Sequence, residues 1–289
     1  MLRKIKVLHI EPTDVCQLAC PLCARETDTE FKKSNKHHLT VPQIQQHFTK
    51  QDIKNLNKIF MCGNYGDPAA GMYTMDIYHW FRKINPTITL GMNTNGALQT
   101  TFWWHSLGQL FNLANDYCVF SIDGLEDTNS VYRVNSNWKK LMSNAEAYIA
   151  AGGSAHLDML IYKHNQHQVD ACEQLARDMG FTWFRAKVSK RPFTEKLEFP
   201  IGWHVAQVNA KSISCHALNE QSTYIDAQGR LSPCCWLGST QSKFITDFDQ
   251  IQQSWTSENP NIVCVKTCGT DNITTSFSNQ WQREVEFNV

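Results

Sequence analysis

No run of apolar residues in the sequence is long enough to cross a bilayer, and charge breaks up Met1 to Ile10 too often for a secretory signal. Neither charge is in surplus: 27 Lys and Arg stand against 27 Asp and Glu, a formal net charge of zero. No basic stripe is visible, which argues against nucleic acid as a partner. These absences lead to the expectation of a cytoplasmic protein with no membrane and no nucleic-acid partner. Cysteine, by contrast, is abundant. Eleven cysteines cannot all pair, and in a reducing compartment they point to metal binding or catalysis rather than disulfides. A chain of 289 residues has room for one large core, or for a core with an appended module.

Three of the cysteines fall within eight residues, Cys16, Cys20 and Cys23, directly after an apolar strand-like run. Thiolates are soft ligands suited to zinc, cuprous copper or iron–sulfur clusters. Closed sites of those kinds take four protein ligands, and this loop supplies three. Three thiolates can hold three corners of a cubane and leave one iron for a small molecule. Pro21 argues against a single helix through all three, so the segment reads as a loop wrapped around a ligand. Three unrelated buried cysteines, or a zinc site completed by His37 or His38, remain as alternatives.

Strand-like and helix-like segments alternate through the first two-thirds of the chain. Strands are expected at 5–10, 58–62, 87–92, 117–122, 156–162 and 182–188. Between them fall an amphipathic stretch over 41–56 and helices over 72–85, 102–113, 138–149 and 166–179. Trp138, Leu141, Met142, Ala145, Tyr148 and Ile149 recur at helical spacing, and Gly152 and Gly153 end that helix. Gly180 caps the next one. Such alternation means an α/β fold with a parallel sheet covered by helices. Six units rather than eight predict a partial (βα)6 TIM-like barrel. Chemistry in such folds gathers at the C-terminal ends of the strands. Cys118 and Cys172 sit on core-facing stripes and are read as packing residues.

The run Cys16-Gln17-Leu18-Ala19-Cys20-Pro21-Leu22-Cys23 resembles the signature loop of radical S-adenosylmethionine (SAM) enzymes, C-N-L-x-C-x-x-C, with Gln17 in place of the common Asn. The resemblance implies a [4Fe–4S] cluster on Cys16, Cys20 and Cys23 whose open iron binds SAM, and a 5′-deoxyadenosyl radical that abstracts a substrate hydrogen. After the second strand, Gly66 and Asp67 resemble the Gly-Gly-Glu element that holds the SAM amino group, with Asp for Glu. The glycine lets the backbone approach a ligand and the carboxylate accepts from an ammonium. Asn95 and Gly96 after strand three resemble a Thr-Asn-Gly element, and Ser121, Asp123 and Gly124 after strand four a Ser-Leu-Asp-Gly element. The resemblance implies that Ser121 and Asp123 bond the ribose and that Arg133 meets the SAM carboxylate, a suitable partner for a planar fork. Asn165, after strand five, is a weaker match.

After Pro200 the β-α rhythm stops. Cys215, Cys234, Cys235, Cys264 and Cys268 occupy the last third, with a hairpin expected over 223–232 around the turn Ala227, Gln228, Gly229. The spacing C-x13-G-x4-C, then C-x3-C, resembles the twitch and SPASM modules that hold auxiliary clusters. That implies an auxiliary [4Fe–4S] cluster on Cys215, Cys234, Cys264 and Cys268, with Cys235 left over; a structural zinc on the same four is the alternative. The expected division is a radical SAM core over 1–195 and an auxiliary-cluster domain over 196–289. The expected reaction is a net oxidation of a small polar or peptide substrate. A flavodoxin- or ferredoxin-type protein would supply electrons and the auxiliary cluster would accept one. A redox-neutral peptide epimerase, with Cys235 or Cys62 as hydrogen donor, is the second reading, and a non-catalytic or zinc-binding protein the third. The first strand begins within about five residues of Met1, so no fused leader-binding domain is expected. Trp183, Arg185 and Lys187 alternate on the last strand and are candidates to face the substrate.

Overall fold

The structure, a computed structural model, describes residues 5–34, 36–189, 197–202, 212–238, 248–270 and 281–288. Six strands run parallel in chain order: β1 Val7–Ile10, β2 Lys58–Met61, β3 Thr89–Thr94, β4 Tyr117–Ser121, β5 Ala155–Ile161 and β6 Trp183–Val188. The helices between them are α1 Ala24–Thr27, α2 Val41–Gln45, α3 Lys50–Lys54, α4 Thr74–Ile84, α5 Thr101–Leu110, α6 Asn129–Tyr132, α7 Trp138–Ala150 and α8 Val169–Met179. Along each strand one face buries Leu8, Ile10, Ile59, Met61, Leu90, Met92, Phe120, Leu157, Met159 and Phe184 against those helices. Cys118 and Cys172 belong to the same core, as expected. The opposite face carries His9, Phe60, Asn93, Tyr117, Ser121, His156, Asp158, Arg185 and Lys187, all partly exposed. The sheet therefore has a packed outer face and a polar inner one.

The stretch over 41–56 is two short helices rather than one. Thr49 accepts from the Asp52 N–H and Asp52 accepts from the Thr49 N–H, a reciprocal cap that starts α3 afresh. The helix expected from 166 opens as a 3-10 turn, Gln166–Gln168, before α8. Gly180 ends α8 at a φ of 81°.

Beyond the barrel strands lie β7 Ser212–Ile213, α9 His216–Asn219, β8 Ser222–Ile225, β9 Leu231–Ser232, α10 Phe248–Ser254, α11 Ile262–Cys268, β10 Gly269–Thr270 and β11 Arg283–Glu286. The hairpin β8–β9 forms as expected, and β8 then docks parallel to β1 with Tyr224 opposite His9. At the far edge β11 pairs antiparallel with β6, and Phe287 enters the main core. The nine-stranded order is β11-β6-β5-β4-β3-β2-β1-β8-β9. Segments from the last third of the chain thus flank the six parallel strands on both sides. Among the described residues no helix is long and apolar enough to cross a membrane.

Candidate functional site: two thiol groups at the barrel mouth

The loop after β1 is pinned from several directions. The Thr13 hydroxyl donates to the His37 carbonyl at 2.8 Å, and the Asp14 carboxylate takes the His37 N–H and ring Nδ1 at 2.8 and 2.6 Å. Arg25, on α1, is buried and donates to the carbonyl of Asp14. Asp67 N–H donates to the Val15 carbonyl and Ala19 N–H to that of Val134, so the loops after β2 and β4 clasp it. Leu18, Leu22, Tyr132, Tyr162 and Leu197 pack around Cys20, with Cys16 and Cys23 at their edge.

The thiols of Cys16, Cys20 and Cys23 lie near one another: Cys20 and Cys23 act on Cys16, and Cys23 acts on Cys20. Burial pushes Cys16 up to about 12 and Cys20 to about 11, the Arg133 guanidinium acting in the opposite sense at Cys20. A metal that binds here must displace those protons. Among the described residues, no group of three or more His, Cys, Asp or Glu side chains is arranged to hold a single metal ion. His37 is engaged by Asp14, and His38 accepts the Met72 N–H at 3.3 Å. A cubane, which takes one thiolate per iron, spreads its ligands more widely than one ion does. Three thiols on one wrap, with no fourth ligand beside them among the described residues, fit that group.

Asp67 caps the 3-10 turn Pro68–Ala70 and is buried. Its carboxylate accepts from Ala69 N–H at 2.9 Å, Thr94 Oγ1 at 2.8 Å, and both the N–H and Nδ2 of Asn95 at 2.7 Å. Four donors from the protein fill the carboxylate's usual capacity. Asn95 in turn accepts from Gln17 Nε2 at 2.6 Å and lies 3.8 Å from the Cys16 sulfur. Asp67, Asn95 and Cys16 are therefore brought together, with Asn95 nearest the thiol. A Cβ on Gly66 would overlap the Thr13 carbonyl. The close approach this glycine permits is to the thiol loop.

Arg133 and Asp123 meet on the other side of the thiols. The Arg133 Nε–H donates to Asp123 Oδ2 at 2.6 Å, and Asp123 Oδ1 accepts the Leu160 N–H at 2.6 Å. Asp123 is 0 % exposed. Asn129, which sequence reasoning did not single out, accepts the Asp123 N–H at 2.9 Å, and Asn165 Nδ2 donates to the Asp123 carbonyl at 2.9 Å. Ser121 ends β4 on its inner face, in register with Asp158.

The last third forms a second thiol group. The Cys215 thiol hydrogen-bonds the Cys268 sulfur, which favours a thiolate at Cys268 and holds the proton on Cys215. Cys234 neighbours Cys264 and Cys268, and burial pushes it up to about 11. Burial raises the Cys235 thiol, which lies near Cys234 of that group and also near Cys62 and Glu11. Asn64 Nδ2 clips the Cys235 carbonyl at 2.8 Å, and His9 Nε2 contacts the Cys62 carbonyl at 2.7 Å. Glu11 sits at this seam. It accepts from Tyr65 N–H at 2.7 Å, Gly66 N–H at 3.1 Å and the Tyr224 hydroxyl. Burial lifts its carboxyl to about 7 against those hydrogen bonds. Glu11 and Tyr224 had no distinguishing signal beyond a charge and a phenol in otherwise apolar strand ends.

Neither protein-family models nor curated proteins match the sequence. Solved structures do match its fold. SuiB of Streptococcus suis bound to S-adenosylmethionine superposes with a TM-score of 0.60 at 13% identity, over 88% of this chain and 66% of that one. The same protein bound to its precursor peptide SuiA gives 0.60 at 12% identity, over 88% and 65%. The protein anSMEcpe with bound AdoMet and the Cp18Cys peptide gives 0.57 at 12% identity, over 94% and 81%. This chain spans just under two-thirds of the length of SuiB. With its six parallel strands, its flanking antiparallel strands and its thiol loop after β1, the chain has the fold of the radical SAM enzymes.

Proposed function

We propose that the protein is a radical SAM enzyme acting on a peptide or a small polar substrate. The observation that carries this reading is the clustering of Cys16, Cys20 and Cys23 on one loop, with Asn95 beside Cys16 and Arg133 beside Cys20. A [4Fe–4S] cluster on those thiols, with SAM, supplies a 5′-deoxyadenosyl radical for hydrogen abstraction. Arg133 offers positive charge beside Cys20 for the SAM carboxylate. Asp67, which holds Asn95 and Thr94, is proposed for the amino end, and Ser121 and Asp123, the latter through its hold on Arg133, for the ribose side. The solved relatives with bound peptides favour a peptide substrate.

Cys215, Cys234, Cys264 and Cys268 are proposed to hold an auxiliary [4Fe–4S] cluster. A closed set of four thiolates leaves no iron open to SAM, so its role is electron transfer or holding the segment together. In the electron-transfer role it would take one electron from the substrate radical, making the net change an oxidation, with a flavodoxin- or ferredoxin-type donor supplying the first electron. The neighbouring thiols of Cys235 and Cys62 favour a second, redox-neutral reading. Either thiol can return a hydrogen atom to a substrate radical, leaving a thiyl that an electron from the donor protein and a proton restore.

Anaerobically reconstituted protein should carry about eight irons per chain and release 5′-deoxyadenosine on reduction. Replacing Cys16, Cys20 and Cys23 with Ala together should leave about half the iron and no cleavage. Cys268→Ser should keep SAM cleavage; if it also keeps product formation while Cys235→Ala loses it, the redox-neutral reading replaces oxidation. Full clusters without SAM binding would sink the enzyme assignment, and stoichiometric zinc with iron near four would sink the auxiliary cluster.

A further inference from the structure

The inner face of β6 carries charge that neither the thiol groups nor the proposed SAM contacts use. Arg185 binds Asp158 through Nε and Nη2 at 2.7 and 3.0 Å, a fork that leaves its Nη1 without a hydrogen bond among the described residues. Lys187, two residues on, lies on the same face. The ring of Trp281, just before β11, stacks against both cations, 4.7 Å from the Arg185 guanidinium and 4.5 Å from the Lys187 ammonium. Its indole N–H is buried with no acceptor among the described residues. An orphaned donor between two cations is costly unless something accepts from it. Lys58, half-buried over the rings of Phe60 and Tyr117, adds a third positive charge deeper in the barrel. Among the described residues, the carboxylates near this face are Asp158, spent on Arg185, Asp123, spent on Arg133, the exposed Glu284, opposite Arg185 in register, and Glu220, whose charge reaches Lys58.

This wall stands in the same mouth as the thiol loop. Lys187 is in register with Leu160, whose N–H donates to Asp123, and Asp123 holds the Arg133 that lies beside Cys20. Leu160 also packs against the cluster of residues around Cys20.

We infer that Lys187, Arg185 and the Trp281 indole N–H form a subsite for a carboxylate of the substrate, such as an acidic side chain of a peptide. The inference deepens the proposed function and rests on its placing substrate at this mouth. A planar carboxylate can take the free Arg185 edge, the Lys187 ammonium and the indole N–H together, and the ring of Trp281 holds both cations in place.

The test uses the full, anaerobically reconstituted chain and ligand-detected NMR with three probes: acetyl-glutamate amide, its neutral isostere acetyl-glutamine amide, and inorganic phosphate. The glutamate probe should bind about tenfold more tightly than the glutamine probe, with the difference shrinking at high salt. Lys187→Gln should lose about that tenfold. Trp281→Phe, which keeps an aromatic face for the cations and removes the N–H together with the five-membered ring, should lose about threefold, and so serves if the lysine variant does not fold. Equal binding of the two amides, phosphate binding more tightly than glutamate, or folded variants that bind like the parent would each overturn the subsite. Binding needs no turnover, so the two readings fail separately. Loss of SAM cleavage with carboxylate preference intact defeats the enzyme reading and leaves the subsite; cleavage without preference defeats the subsite alone.

Discussion

Glu11 shows how one residue can be set by its surroundings rather than by its type. It follows the last residue of β1, and the docking of Tyr224 completes its burial. Because burial dominates, the folded chain holds the Glu11 proton up to about 7, whereas the unfolded chain releases it near 4.5. Between those values the folded form binds more protons, so this residue's share of stability falls as pH rises, by about 3 kcal/mol in all. Asp158, raised to about 6 by burial, acts in the same sense. His9 and His156, lowered by burial to about 4 and about 3, act in the opposite sense, their share rising with pH up to 6.5. Subtracting the urea-unfolding profile of Glu11→Gln from that of the parent isolates the first effect. The difference should fall between pH 4.5 and 7; a flat one would show that the carboxyl titrates normally.

At the scale of elements, the decisive contact is between the loops after β1 and β2. Gly66 meets the Thr13 carbonyl and donates to Glu11, and Asp67 donates to the Val15 carbonyl. A methyl group at Gly66 has no room there, and the neighbour it meets is backbone. Gly66→Ala should destabilise by about 1–3 kcal/mol or more and loosen the thiol loop. Iron retained after reconstitution should drop by about half in this variant, because the C-terminal thiols lie elsewhere. Equal loss from both groups would mean the substitution acts on the fold as a whole. The residue pattern did single out this loop, though on the ground that glycine admits a ligand. What the glycine admits is the neighbouring loop, a relation between segments 53 residues apart that no local spacing encodes.

At the scale of the whole molecule, the sheet is finished by strands from the far end of the chain. β6 would otherwise present an unpaired edge, and β11 covers it while Phe287 fills the core beneath. Ending the chain after residue 280 should lower the unfolding midpoint and promote self-association, read by urea titration and sedimentation velocity. A truncated chain that stays monomeric and equally stable would mean that β11 is only an ornament of the edge. The same cut removes Trp281, so carboxylate preference should vanish with it. Cys62 and Cys235, far apart in sequence, meet for a related reason: β8 docks on β1 and brings the second thiol group's surplus cysteine to the end of β2.

The order of the six parallel strands and the helices between them was legible in the sequence. Alternating hydrophobicity and glycine or proline stops are local signals, and parallel pairing follows from the βα repeat. So was the clustering of Cys16, Cys20 and Cys23, because three thiols on one short loop are close in sequence before they are close in space. The break at Thr49 was legible too, in a capping pattern overridden by the longer amphipathic run. Tertiary structure alone decided which strands close the two edges, since the pairings of β8 with β1 and of β11 with β6 join segments far apart in the chain. It also decided that Asp67 spends its hydrogen bonds on Thr94 and Asn95, that Cys235 lies near Cys62 and Glu11 as well as Cys234, and that Trp281 comes to rest against Arg185 and Lys187. Each of these depends on desolvation and on partners distant in the chain, which exist only once the sheet has assembled.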